Sequence, residues 1–169
     1  GSNDLMTQRD HPGVAVPPPL IYFAFLAVGW GLDRQGVQLG LGDTLDLSFG
    51  LATELRRGIA LVLIIGGLLL DGMSAGLFRR LGTAVEPWKP STALATEGPY
   101  RFSRNPIYVG FAVTYAGLAV AMDSPVALVL LIPCLLVVDR FVIQKEETYL
   151  AAKFGGEYAA YRDKVRRWL

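Results

Sequence analysis

Residues 56–80 read RRGIALVLIIGGLLLDGMSAGLFRR. The run 58–78 is apolar, an arginine pair closes each end (Arg56-Arg57 and Arg79-Arg80), and a single charge, Asp71, interrupts it. A helix needs about 20 apolar residues to cross about 30 Å of hydrocarbon, and cations at both ends suit the two interfaces. The whole chain agrees with a membrane reading. Of its 169 residues, 52% are hydrophobic and 18% charged, against about 25% charged in a soluble domain. A net charge of +1 gives no footing for nucleic-acid binding. The length fits one domain.

Working outward, three more segments are apolar enough to span. Residues 14–32 carry no charge, and Pro17, Pro18 and Pro19 suit a first helical turn better than an interior. No basic stretch and no small-residue cleavage site mark this segment as a cleaved signal peptide. Residues 107–122 and 125–143 come next, joined by Asp123-Ser124-Pro125, with Ser124 as N-cap and Pro125 as first helical residue. Pro133 is expected to kink the last span. The expected fold is therefore an all-α integral membrane protein of about four transmembrane helices, the last two a tight hairpin. Residues 1–13 read as an N-terminal tail whose Gly1-Ser2 is a cloning remnant, and 14–169 as one domain.

Charge placement orients the spans. Arg79, Arg80, Lys89, Arg101 and Arg104 lie between the second and third; Lys145, Lys153, Arg162, Lys164, Arg166 and Arg167 come after the fourth; the 123–125 turn has no Lys or Arg. The 79–105 segment and the tail are thus expected on the cytoplasmic side. Arg34, Arg56 and Arg57 in the first loop fit this less well. In the tail, Leu150, Phe154, Tyr158, Tyr161, Val165 and Trp168 recur at helical steps, interrupted at Gly155-Gly156. This amphipathic helix either lies on the membrane surface or packs against the bundle. The lone Cys134 sits in an apolar run as a small helix residue, and with only one histidine, His11, a Cys/His zinc site is excluded by inventory. No metal is expected.

Two polar clusters remain. Residues 98–110, GPYRFSRNPIYVG, enter the third span through Asn105-Pro106, an N-cap and first helical residue. The free N–H groups of that helix end, beside Arg101 and Arg104, form an anion-binding corner; an ordinary capped helix with a basic anchor is the plainer account. After the fourth span come Arg140 and, about two helical turns on, the pair Glu146-Glu147. A carboxylate close to the bilayer is costly unless paired, so Arg101 and Arg104 are natural counter-ions. A solvated helix start is the plainer account here too. Together the clusters make a pocket of both signs, suited to a small ligand with an amino-acid zwitterion and a positive centre.

The stretch from Gly82-Thr83 through GPYRFSRNPIYVG, a short-turn helical pair and DRFVIQKEETYLAAKFGGEYAAYRDKVRRWL resembles the isoprenylcysteine carboxyl methyltransferase and phospholipid methyltransferase superfamily. An R-[HN]-P-x-Y-x-G box is met by Arg104, Asn105, Pro106, Tyr108 and Gly110; the acid pair and Phe154-Gly155-x-Glu157-Tyr158 come after it in order. The resemblance covers 82–169. It implies an integral membrane enzyme that uses S-adenosyl-L-methionine, with Tyr100, Arg104, Asn105, Pro106, Tyr108, Gly110, Glu146 and Glu147 at the cofactor. The best-known members carry histidine where Asn105 stands. Asparagine takes up no proton near neutrality, which argues against a general base there.

Within that frame, the N–H groups of 105–107 and Arg104 would hold the methionyl carboxylate, Glu146 or Glu147 the amino group or a ribose hydroxyl, and Tyr100 and Tyr108 the adenine or sulfonium. Arg140 would steer an anionic acceptor, or a glutamate would deprotonate an amine. Asp71 is the third catalytic candidate with Arg140 and Glu146, since an acid within a span is a functional candidate by default; a structural pair with an arginine of 98–110 is its alternative. The expected partners are the bilayer and a lipid-like or amphiphilic methyl acceptor. Rival readings are an NADPH-dependent sterol-type reductase and a non-enzymatic membrane protein. Gly40-Leu41-Gly42-Asp43 has the look of a soluble methyltransferase turn but lacks the strand before it.

Overall fold

A computed structural model of the chain describes residues 10–38 and 48–169, without the side chains of 37 and 38. All regular elements among them are helical: α1 (Pro18–Gln38), α2 (Thr53–Leu81), a 3₁₀ turn (Gly98–Arg101), α3 (Pro106–Ala121), α4 (Pro125–Val138), a π turn (Asp139–Ile143), α5 (Gln144–Phe154) and α6 (Gly156–Lys164). The Gly40-Leu41-Gly42-Asp43 segment lies outside the described residues. Two of the helices are long and apolar enough to cross a membrane, Thr53–Leu81 and the continuous Pro125–Phe154; α3 is apolar but shorter.

The surfaces of these helices fit hydrocarbon. On α2, Val62 is 71% exposed and Leu69 62%; on α4, Ile132 and Leu136 are 65% and 66% exposed. Apolar side chains aligned in this way are a liability in water and ordinary against lipid. Inside, α2 packs on α3 and α1 on α4. Small residues permit the close approach, because lipid tails give helices no hydrophobic reason to associate and contact area must supply it. A Cβ built on Gly67 would stand 2.6 Å from the Gly110 carbonyl oxygen and 2.8 Å from Thr114 N.

Helix ends obey their sequence signals with one exception. Pro18 begins α1 within the proline run, and α2 closes on Gly82 at φ 69°, where its N–H reaches Arg79 O and the next N–H reaches Phe78 O. Ser124 caps α4 by accepting from Ala127 N at 3.2 Å and donates to Asp33. Arg56, awkward for the charge rule, donates to Val120 O (3.1 Å) and Ala121 O (2.6 Å), carbonyls at the end of α3. The exception is Asn105: it occupies the N-cap position of α3, but its side chain makes no cap bond.

The last long helix carries an irregularity that its residues did not announce. Pro133 lies inside α4, which continues past it, and the irregular turn falls at Asp139–Ile143. A π turn holds one residue more than an α turn, so the helix beyond it is rotated by about 100°. Arg140, at the start of the turn, stays on the outer face with Ile132 and Leu136 and donates to Gln144 at 3.3 Å, while the acid pair beyond the turn faces inward. Beyond Phe154 the chain turns at Gly155 (φ 53°) into α6. Tyr158 and Tyr161 are buried with Leu77, Ala95 and Tyr100, so the tail's apolar stripe packs on the bundle.

The helix contact gives a paired test. Gly67→Ala should destabilise the protein by about 1–3 kcal/mol through overpacking, whereas Gly66→Ala, with nothing within 4 Å of its Cβ, should be neutral or mildly stabilising. Thermal unfolding in detergent would measure both, and equal effects would refute the packing assignment.

Candidate functional site

The two polar clusters meet. Arg104, ahead of α3, places Nη1 3.1 Å from Glu147 Oε2 on α5 and 3.2 Å from the Tyr158 hydroxyl on α6. Tyr108, one turn into α3, donates from its hydroxyl to Glu146 Oε1. These groups line a cavity of about 230 Å³ with Tyr100, Asn105 and Tyr161. Its far wall is the 83–95 loop, and Phe78, Leu94, Ala95 and Leu150 supply apolar surface. The loop is held by Thr92 N on Thr83 Oγ1 (3.0 Å) and Ser91 N on the Tyr149 hydroxyl (2.9 Å).

The chain's last residues complete the site. Arg167 donates to both oxygens of Glu147, at 2.9 and 2.7 Å, and its Nη1 reaches Asp139 at 3.2 Å. Trp168 Nε1 donates to Asp139 at 3.0 Å. The tail is fixed to the α3 turn through Arg104 N on Arg166 O and the Asn105 side-chain amide on Arg167 O, each 2.8 Å. Tyr161 donates to Tyr100 O at 2.7 Å. Glu147 is therefore braced by two guanidinium groups. Glu146 has one oxygen on Tyr108 and lines the cavity.

Electrostatics support fixed roles. The hydrogen bonds to Glu147 hold the Arg167 guanidinium above the ordinary arginine range. A raised folded value means that the arginine's side of the pair is lost only on strong alkalinisation, while Asp139, held below the usual carboxylate range by its hydrogen bonds and by Arg167, loses its side as acid protonates it. Burial, then the charge of Glu147, raises the Tyr158 hydroxyl, and burial with the charge of Glu146 raises that of Tyr100. Both phenols stay protonated at neutral pH. Arg104 Nε is buried without a partner, an unused donor beside the cavity.

Of the expected residues, Tyr100, Arg104, Asn105, Tyr108, Glu146 and Glu147 line this cavity. Pro106 and Gly110 are buried in the fold instead, Gly110 facing Asp71 across the α2–α3 contact. Arg101 is exposed. Arg140 is not brought to the cavity: it continues the outer face of α4 that the exposed Ile132 and Leu136 define. Asp71 lines a second, adjoining cavity, and its Oδ1 lacks the arginine partner that was its structural alternative. The expected anion corner is narrower than its sequence implies: Arg104 N and Asn105 N already bond to Arg166 O and Ser103 Oγ, leaving the first-turn N–H groups after Pro106. Sequence reading missed Arg167, Tyr158 and the 83–95 wall. The one available signal was that an arginine beside Trp168 at the end of an amphipathic tail needs a carboxylate if it is buried.

The phospholipid methyltransferase family matches residues 55–157 of the chain. Over 125 residues, 73% of this chain and 52% of the relative, it is 29% identical to the protein-S-isoprenylcysteine O-methyltransferase of Saccharomyces cerevisiae. Over 75 residues, 43% of this chain and 36% of the relative, it is 36% identical to protein-S-isoprenylcysteine O-methyltransferase B of Arabidopsis thaliana. It is 60% identical over 35 residues to an uncharacterized protein of Haemophilus influenzae, 21% of this chain and 56% of that relative. The matches thus span about half or less of the relatives' own lengths.

The brace is open to a double-mutant cycle. Arg167→Ala and Glu147→Ala should couple by about 1–3 kcal/mol, since a partly buried forked pair is being broken. The exposed Lys153–Asp10 pair, 2.7 Å apart at the surface, should couple by less than about 0.5 kcal/mol. Thermal unfolding of the four variants of each cycle reads both values.

Proposed function

This chain belongs to the phospholipid methyltransferase family, and from that premise we propose that it is an S-adenosyl-L-methionine-dependent methyltransferase acting on a lipid-like or amphiphilic acceptor. The observation that carries the reading is the meeting of Arg104, Glu146 and Glu147 in one cavity with both signs of charge. The donor set fits such a cofactor. Glu146, oriented by Tyr108, offers a carboxylate oxygen to an ammonium or ribose hydroxyl; Arg104, with an unpartnered Nε, and the first-turn N–H groups of α3 offer donors to a carboxylate. Phe78, Leu94 and Ala95 offer an apolar wall to an aromatic ring.

When bound, the cofactor supplies a methyl group on a sulfonium, open to in-line displacement. The protein's part is alignment and exclusion of water. The 83–95 loop shields one side of the cavity, and Tyr158 and Tyr161 of α6 line another, beyond which Arg166 and Arg167 are tied to the α3 turn. Asn105 holds the tail and does not act as a base. Glu147, neutralised twice, sets the position of α5 and hence of Glu146.

We place α1, α2, α3 and α4 across the membrane as four spans, with this cavity at the cytoplasmic face. Asp10 bonds to Lys153, and Arg104 to the tail, at one end of the bundle; Asp33, Arg56 and Ser124 gather at the other. The first end holds most of the cations, as the charge rule requires inside.

Calorimetric titration of the purified chain with S-adenosyl-L-methionine should saturate. Glu146→Gln and Arg104→Ala should each weaken binding about tenfold or more, roughly 1.4 kcal/mol, and Tyr108→Phe by about three- to tenfold. NADPH should not bind. Absence of saturable binding, or full affinity in folded Glu146→Gln and Arg104→Ala, would overturn the assignment.

A further inference from the structure

Phe78, Tyr100 and Tyr161 meet in one apolar node, where α2, the 3₁₀ turn and α6 come together. The Phe78 and Tyr100 rings stack at 5.3 Å, and the Tyr161 hydroxyl donates to Tyr100 O at 2.7 Å. Each of these aromatics is followed in the chain by an exposed arginine: Arg79, Arg101 and Arg162. Arg80, Lys164 and Arg166 add exposed charge beside them, against the exposed acids Glu97, Glu157 and Asp163 of the same stretches, so positive charge prevails. Among the described residues none of these cations forms an ion pair, whereas Arg104 and Arg167 are both bound to Glu147.

Phe102, next to Arg101, is 76% exposed, more than any other large apolar side chain among the described residues. The turn that carries it is fixed: Phe102 N donates to Pro99 O at 3.1 Å, and Ser103 behind it is buried. The patch also continues the hydrocarbon-facing side of α2. Arg80 lies two turns beyond the exposed Met73, itself one turn beyond the exposed Leu69. A stripe that begins against lipid tails thus ends in cations, and Phe102 stands just ahead of Pro106, the first residue of the apolar α3. A bare ring among unpaired arginines suits the membrane interface, where the ring leaves water and the charges meet phosphates.

We infer that this face binds anionic phospholipid, with Arg79, Arg101 and Arg162 on the headgroup phosphate and Phe102 among the first acyl carbons. A zwitterionic lipid is held less well, since its own cation would stand against the arginines. The face is separate from the Glu146 cavity, which neither Phe102 nor these three arginines line.

The test is native mass spectrometry of the purified chain in detergent micelles holding equal amounts of phosphatidylglycerol and phosphatidylcholine with identical acyl chains. Wild type should retain phosphatidylglycerol about fivefold or more over phosphatidylcholine, roughly the factor that one arginine contributes near an anionic headgroup. Arg101→Gln with Arg162→Gln should bring the ratio close to one. Arg140→Gln with Lys145→Gln removes the same charge from exposed positions elsewhere at this end of the bundle, and should leave the ratio as in wild type. Phe102→Ser should lower retention of phosphatidylglycerol about threefold, and an excess of inorganic phosphate should not displace the lipid. The wild-type ratio and the phosphate competition need no variant to fold. A wild-type ratio near one, loss of lipid to phosphate, or an undiminished ratio in folded Arg101→Gln with Arg162→Gln would overturn the inference. An equal fall in both double variants would overturn it too, leaving only a general attraction of this end for anions.

Discussion

The carboxylate of Glu147, held by Arg104 on one side and forked by Arg167 on the other, is the contact on which the rest of the site depends. It joins the turn before α3, the start of α5 and the last residues of the chain, which no local rule brings together. Charges drawn out of water cost several kcal/mol each unless partners and hydrogen bonds meet them. Here the carboxylate has two guanidinium partners, and the second of these also bonds Asp139. Once that knot is tied, Glu146 can only point where Tyr108 meets it, and the cavity is defined.

Around this polar centre the molecule is built for hydrocarbon. The outer faces of α1, α2 and α4 expose large apolar side chains, while glycines and alanines draw the helices together on the inside. Tight α2–α3 packing leaves no space for a counter-ion at Asp71, and α1, leaning chiefly on α4, leaves a cleft beside it. The same packing thus separates a cavity with charged side chains from an apolar one that Asp71 borders. Two cavities of opposite character are parted by Phe111 and Pro19.

Much of this was legible in the residues themselves. Apolar runs with arginine borders announced the long helices, because segment length against bilayer thickness is a local property. The Ser124-Pro125 start of α4 and the break at Gly155 were equally local. The box Arg104-Asn105-Pro106-x-Tyr108 with Glu146-Glu147 marked the cavity's polar members, since isolated charges beside a membrane need one another. Phase and closure could not be read. Arg140 stayed on the outer face of α4, the π turn at Asp139–Ile143 set the phase of the acid pair beyond it, Asn105 bonded the tail in place of its own helix, and the tail supplied Arg167.

By itself, then, the order of residues determined that the chain is helical, greasy and polar at one end, for those outcomes depend on hydropathy and charge within a few turns. Only the packed molecule decided which acid faces the cavity and which is brace, and that Asp71 stands apart from every described cation. Such choices turn on contacts between residues dozens of positions apart, where a single extra residue in one helical turn redirects the whole of the chain beyond it.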